Sequence, residues 1–138
     1  MYKELDELIS SYEKNFELVS EFWSVDGMDD AIDIIRVFEE ADWTSLINDL
    51  NNKSSLWKTL LAQCMIDKED SHVLEILNLL TETDDKILFR TVINKLSGYD
   101  LEQIENRKTI EEKINELMPE ANDLDKMYLN NYLKKQVE

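Results

Sequence analysis

The sequence predicts an all-α protein, and three observations carry that prediction. Two Gly and one Pro in 138 residues leave little material for the hairpins and tight turns that a sheet needs. Apolar residues recur at spacings of three and four, as one face of an α-helix requires. Candidate helix starts at Asp42, Ser71 and Asp100 fall about 29 residues apart, as in a stacked helix-pair repeat. The length suits a single helical domain over residues 1–138, with a repeat-like centre at 42–98. An apolar fraction of 43% and three Trp supply its core.

The first helix is expected from Tyr2 to Trp23, with Leu5, Leu8, Ile9, Tyr12, Phe16, Val19 and Trp23 on one face. Ser24 to Gly27 breaks it, since Gly27 tolerates a positive φ and Asp26 favours turns. A second helix runs from Met28 to about Glu40, with Met28, Ile32, Ile35 and Phe38 inward and Ile34 and Val37 widening its apolar side. Asp42 is read as the cap of the third helix, which buries Trp43, Leu46, Ile47 and Leu50. Ser54 or Ser55 caps the fourth, Leu56 to Ile66, whose inward residues are Leu56, Trp57, Leu60, Leu61, Cys64 and Met65.

Ser71 is read as the cap of the fifth helix, His72 to Leu80, which is apolar nearly all round. The sixth spans Asp84 to Leu96, with Ile87, Leu88, Val92, Ile93 and Leu96 inward. Ser97 and Gly98 close it as a glycine C-cap. Asp100 with Gln103 forms a capping box for the seventh, with a break near Asn106 and a stop at Pro119. The last helix, Asn122 to about Val137, carries Leu124, Met127, Tyr128, Tyr132 and Leu133. Lys134 and Lys135 suit its C-terminus.

Seven to eight helices joined by short connections imply antiparallel neighbours. Leu56, Trp57, Leu61, Ala62 and Met65 align at a constant offset with Ile87, Leu88, Val92, Ile93 and Leu96. Repeats of this kind bury their apolar faces by stacking. A short α-solenoid resembling HEAT repeats is the expected architecture, with a compact helical bundle as the alternative.

The formal net charge is −16. Residues 1–50 hold 14 acidic and 3 basic side chains, a net −11, which leaves −5 for the rest. A field of this sign repels nucleic acid and anionic membranes and speeds encounter with basic partners. The N-terminus is acidic and amphipathic, unlike a signal peptide, and no apolar run approaches the ~20 residues that cross a bilayer. A cytoplasmic protein is expected.

Catalytic signatures are missing from the sequence. Cys64 is the only cysteine and sits among Leu60, Leu61 and Met65, the setting of a buried structural thiol. His72 is the only histidine, and no metal-ligand spacing surrounds it. Asp26 to Asp30 lacks the alternating Asp/Asn positions of a calcium loop. With no P-loop, dinucleotide fingerprint or triad, neither enzyme activity nor a cofactor is expected. Acids instead concentrate around one short helix and its ends, at Asp29, Asp30, Asp33, Glu39, Glu40 and Asp42, the candidate partner-binding residues. A second group, Asp67, Glu69, Asp70, Glu82, Asp84 and Asp85, occupies inter-helix turns, where acids also serve helix N-termini.

Trp43-Thr44-Ser45-Leu46, Leu56 to Leu61, Ile76 to Leu80 and Asp84 to Phe89 together resemble all-helical, HEAT-like immunity proteins of bacterial polymorphic-toxin and contact-dependent inhibition systems. The resemblance covers residues 42–96 and lies in helix patterning. It implies a cytosolic protein that binds a cognate toxin domain, often a nuclease, and occludes its active site or substrate path. A basic toxin domain is then the expected partner. Two further classes fit the composition: an acidic nucleic-acid mimic, and a helical-repeat adaptor that binds a peptide or protein through its concave face.

Overall fold

The computed structural model describes the backbone of residues 1–137 and the side chains of residues 1–134. The all-α class is borne out, and no strand occurs among the described residues. The chain forms two compact units, Met1–Met65 and a second beginning at Ile66.

The first unit is built on α1, Tyr2–Lys14. Leu5 and Ile9, one turn apart, are fully buried. Helix α1 packs against α3 (Met28–Arg36), α4 (Glu40–Asp49) and α5 (Ser55–Gln63). The single long helix expected to Trp23 is broken. Asn15 leaves the helical region at φ −133°, ψ 38°, and its carbonyl accepts from the amides of Leu18 and Val19 at 2.9 and 3.1 Å. Asparagine suits such a break because its helix propensity is low. A new helix, α2, then runs Phe16–Phe22 in a different direction of exposure. It has no fully buried residue.

The turn expected at Ser24 to Gly27 is absent. Residues Trp23–Gly27 form one π-helical turn that leads directly into α3, and Gly27 sits at φ −62°. Its need for glycine is steric. A Cβ there would lie 2.6 Å from Tyr12 Cζ and 2.8 Å from Trp23 Cε3. Those two rings meet edge to face at 5.3 Å, and Trp23 Nε1–H donates to Gln63 Oε1 at 2.7 Å. Gly27→Ala is therefore expected to cost about 1–3 kcal/mol by overpacking, read as a lower urea midpoint with an unchanged slope.

Helix α3 ends at Arg36, short of the expected Glu40, with Ala31 and Ile35 buried. Met28, Ile32 and Phe38 are half-buried and Val37 is exposed. Glu39 adopts an extended conformation and caps α4, so Asp42 is the third residue of that helix and not its cap. Trp43, Leu46 and Leu50 are buried, whereas Ile47 is half-buried. Ser54 caps α5 by accepting from the Trp57 amide at 3.1 Å. Trp57, Leu60, Leu61, Cys64 and Met65 are buried as expected. The Cys64 thiol points at the Leu60 carbonyl.

In the second unit α6 spans Ser71–Leu80 and α7 spans Lys86–Leu96. Asp70, one residue before the expected Ser71, caps α6 by accepting from the His72 amide at 2.9 Å. The same carboxylate oxygen lies 3.0 Å from His72 Nδ1. Asp85 caps α7 through the Leu88 amide. Leu88, Phe89, Val92, Ile93 and Leu96 are buried, whereas Ile87 is exposed. Gly98 has no positive φ; a Cβ there would meet Lys68 Nζ at 2.8 Å.

The Asp100–Gln103 capping box is present and opens a 3-10 turn, Leu101–Gln103. Asn106 then precedes α8, Arg107–Leu117, at the expected break. Pro119 lies in a 3-10 turn, Met118–Glu120. Helix α9 follows over Asp123–Val137 and packs on α7. Among its described side chains Leu129 and Tyr132 are buried, whereas Leu124 and Met127 are exposed. Lys134 is exposed, and the Lys135 side chain lies outside the described residues.

Candidate functional site

The six acids singled out in the sequence fall into two structural settings. Asp29, Asp30 and Asp33 lie on α3 and are exposed. Asp33 meets Arg36, one turn on, at 3.4 Å. Both side chains of that pair are open to solvent, so the contact adds little to stability, and Arg36 offsets one of the three acidic charges on α3. Glu39 and Asp42 instead form the reciprocal capping box of α4. Asp42 accepts the Glu39 amide at 2.9 Å and the Tyr2 amide at 3.0 Å through its two oxygens. Glu40 opens α4 beside them, exposed.

These hydrogen bonds hold the Asp42 carboxyl below the usual carboxylate range, the Glu39 amide acting most strongly and the Tyr2 amide next. A carboxylate with a lowered folded pKa stabilises the fold above its unfolded value of about 4, and that contribution is lost as pH falls through the folded value. Asp42→Ala is therefore expected to lower the melting temperature most above about pH 5. The gap to the parent protein closes toward pH 2, which melting curves across that range would read.

A separate polar cluster ties α1 to the end of α4. Lys53 Nζ contacts Asp6 at 2.8 Å and Asp49 at 3.2 Å. Trp57 Nε1–H donates to Asp6 at 3.1 Å, and the Tyr2 hydroxyl donates to Asp49 at 2.5 Å. Burial would lower the Lys53 pKa, but its two carboxylate partners outweigh burial and raise it. Every member of the cluster is engaged in the fold, which marks it as architecture and not as a reactive centre.

Helix α2 and the π-helical turn carry what the residue pattern did not single out. Leu18, Phe22 and Val25 are 81%, 60% and 67% exposed and form a ridge at spacings of four and three. The signal was present in the sequence. Phe16, Leu18, Val19, Phe22, Trp23 and Val25 are too many apolar residues for one helix face, so a second stripe had to look outward. Glu17, Glu21, Asp26 and Asp29 are exposed beside the ridge.

The second unit has a pocket between α7 and α9 lined in part by Phe89, Arg90, Asp125 and Leu129. Arg90 is held by Asp125 at 2.8 Å and lies over the Tyr128 ring. Lys86, at the rim, is 3.8 Å from Glu120. Its charges are thus balanced internally. Among the described residues no group of three or more His, Cys, Asp or Glu is arranged to hold a metal. Among the described residues no helix is long and apolar enough to cross a membrane.

No family model, curated protein or solved structure matches this chain.

Proposed function

We propose that this chain is an acidic immunity protein that binds a cognate basic toxin domain in the bacterial cytoplasm and blocks its active site or substrate path. The observation that carries the reading is the concentration of acids on α3 and at the start of α4 in the first unit. Asp29, Asp30 and Asp33 project from α3 into solvent, and Glu39, Glu40 and Asp42 follow at the start of α4. A nuclease-type toxin needs a basic cleft for its substrate, and a −16 partner is steered to such a cleft at rates above those of neutral pairs. Speed has value here, because each unbound toxin molecule turns over substrate. Carboxylates at phosphate-like positions would occupy the cleft directly.

Affinity capture with the tagged protein from its native cell tests the reading, with washes at low and at moderate salt. One basic protein retained through both washes, and toxic when expressed by itself, is the expected result. A broad set of basic proteins lost together as salt rises would replace the reading with a general nucleic-acid mimic. A partner of neutral or acidic charge, bound equally at all salt concentrations, would replace it with a peptide- or protein-binding adaptor.

A further inference from the structure

We infer that the Leu18–Phe22–Val25 ridge is the anchor of the binding surface, and that it seats in an apolar pocket rimmed by lysine and arginine on a protein partner. The inference rests on the proposed reading for the partner being a basic protein, and adds where the contact is centred.

Three observations converge on it. First, the exposure is built in. Phe16 and Val19 are half-buried and Trp23 is buried, so α2 and the π-helical turn face the fold with one side and present Leu18, Phe22 and Val25 on the other. Second, one end of the ridge is anchored from beneath. Trp23 is buried against the Tyr12 ring, close to Gly27, and hydrogen-bonded to Gln63, so the π-helical turn presents Val25 from an anchored base. An anchored backbone has less to order on binding, and π-helical turns recur at functional sites.

Third, the surroundings are acidic. Glu21 lies three residues after Leu18, while Asp26 and Asp29 lie four residues after Phe22 and Val25, each about one helical turn away. All three are exposed. Lys14, four residues before Leu18, is the nearest cation along the helix path. An aromatic centre with a charged rim is the anatomy of a protein-binding hot spot. The sign of the rim selects a basic partner and disfavours a nucleic acid, an anionic bilayer or a second copy of this acidic chain.

The test uses the full chain, labelled with 15N, and a synthetic amphipathic Leu/Lys helical peptide as probe. The same peptide with Glu or Gln in place of Lys serves for comparison. The Leu/Lys peptide is expected to bind with amide shifts centred on residues 18–29, more tightly than the Gln form, and the Glu form is expected not to bind. Phe22→Ala, at an exposed position, is expected to keep the parent melting temperature and weaken the Leu/Lys peptide at least tenfold.

Shifts spread over the acids of both units, with affinity unchanged by Phe22→Ala, would overturn the inference in favour of diffuse charge attraction. So would a dimer at micromolar concentration that Phe22→Ala converts to monomer, since the ridge would then cover a second copy. Binding to phosphatidylglycerol vesicles that Phe22→Ala abolishes would assign the ridge to lipid and overturn it equally. The two proposals fail separately. A captured toxin whose affinity is indifferent to Phe22→Ala overturns the ridge alone, and a seated peptide without any toxin partner overturns the immunity reading alone.

Discussion

Trp57→Ala is expected to lower the unfolding free energy by about 3–5 kcal/mol, the largest loss from any single truncation considered. Trp57 is 1% exposed and contributes in two ways. Its ring fills the space between α5 and α1, and Lys53 Nζ lies 5.0 Å from the ring centroid. Its indole N–H donates to Asp6 at 3.1 Å. Removing the ring leaves a cavity and exposes the Lys53–Asp6 pair to a changed environment. Against a typical domain stability of about 5–15 kcal/mol, that loss would unfold a marginal domain. Trp57→Phe keeps most of the volume and gives up the hydrogen bond, so it is expected to recover more than half of the loss. Phe22→Ala supplies the contrast, because an exposed aromatic ring removed from solvent changes stability by no more than about 0.5 kcal/mol. Urea unfolding followed by circular dichroism separates the three.

The second large effect concerns association. Reversing Asp29, Asp30 and Asp33 together to Lys changes the net charge by six, from −16, and does so on one exposed helix. The association rate with the basic partner is expected to fall at least about tenfold at low salt, since steering raises such rates by about 10–1,000-fold. The salt dependence of the rate flattens in the same variant. Dissociation changes less, because rim charges act mainly on encounter. Replacing the three with Asn gives an intermediate rate, which distinguishes lost attraction from new repulsion. Stopped-flow association across a salt series reads all three proteins, and kinetics unchanged by the reversal would remove this patch from the interface.

The fold was legible where short-range chemistry settles it. A cap at Ser54 or Ser55, the Asp100–Gln103 box, the break at Asn106 and the burial of Trp57 and Cys64 all follow from residue type and spacing. The differences have two physical sources. Where two capping residues stand together, as at Asp70-Ser71, backbone geometry chooses between them, and there the choice moved the cap by one residue. Asp42 reached back to the Glu39 amide and became the partner of the cap. The second source is that periodicity does not register a local change in helical direction. Tyr12, Phe16, Val19 and Trp23 keep their spacing across Asn15, so the pattern reads as one face although the backbone turns there. The π-helical turn adds to this, since it alters the phase of the helix with no break in the chain. Both glycines illustrate the same limit: each was read as a conformational device, and Gly27 is needed for the close approach of Tyr12 and Trp23.

The candidate site was legible in charge and obscure in shape. Counting acids locates Asp29, Asp30 and Asp33 on an exposed helix, but cannot tell a carboxylate facing solvent from one engaged in a cap, such as Asp42. The ridge went unassigned because Leu18, Phe22 and Val25 lie off the face shared by Tyr12, Phe16, Val19 and Trp23, and spacing does not tell whether a second apolar stripe meets a neighbour or solvent.

The measurement that tests the central claim most directly is neutralisation in cells. The captured basic partner is expressed in a bacterial host from one inducible promoter and this chain from another. Growth arrest by the partner alone, relieved when this chain is produced in at least equal amount, is the predicted result, and relief weakens in the Asp29, Asp30 and Asp33 reversal. A partner that leaves growth unchanged, or an arrest that persists with this chain in excess, contradicts the immunity function.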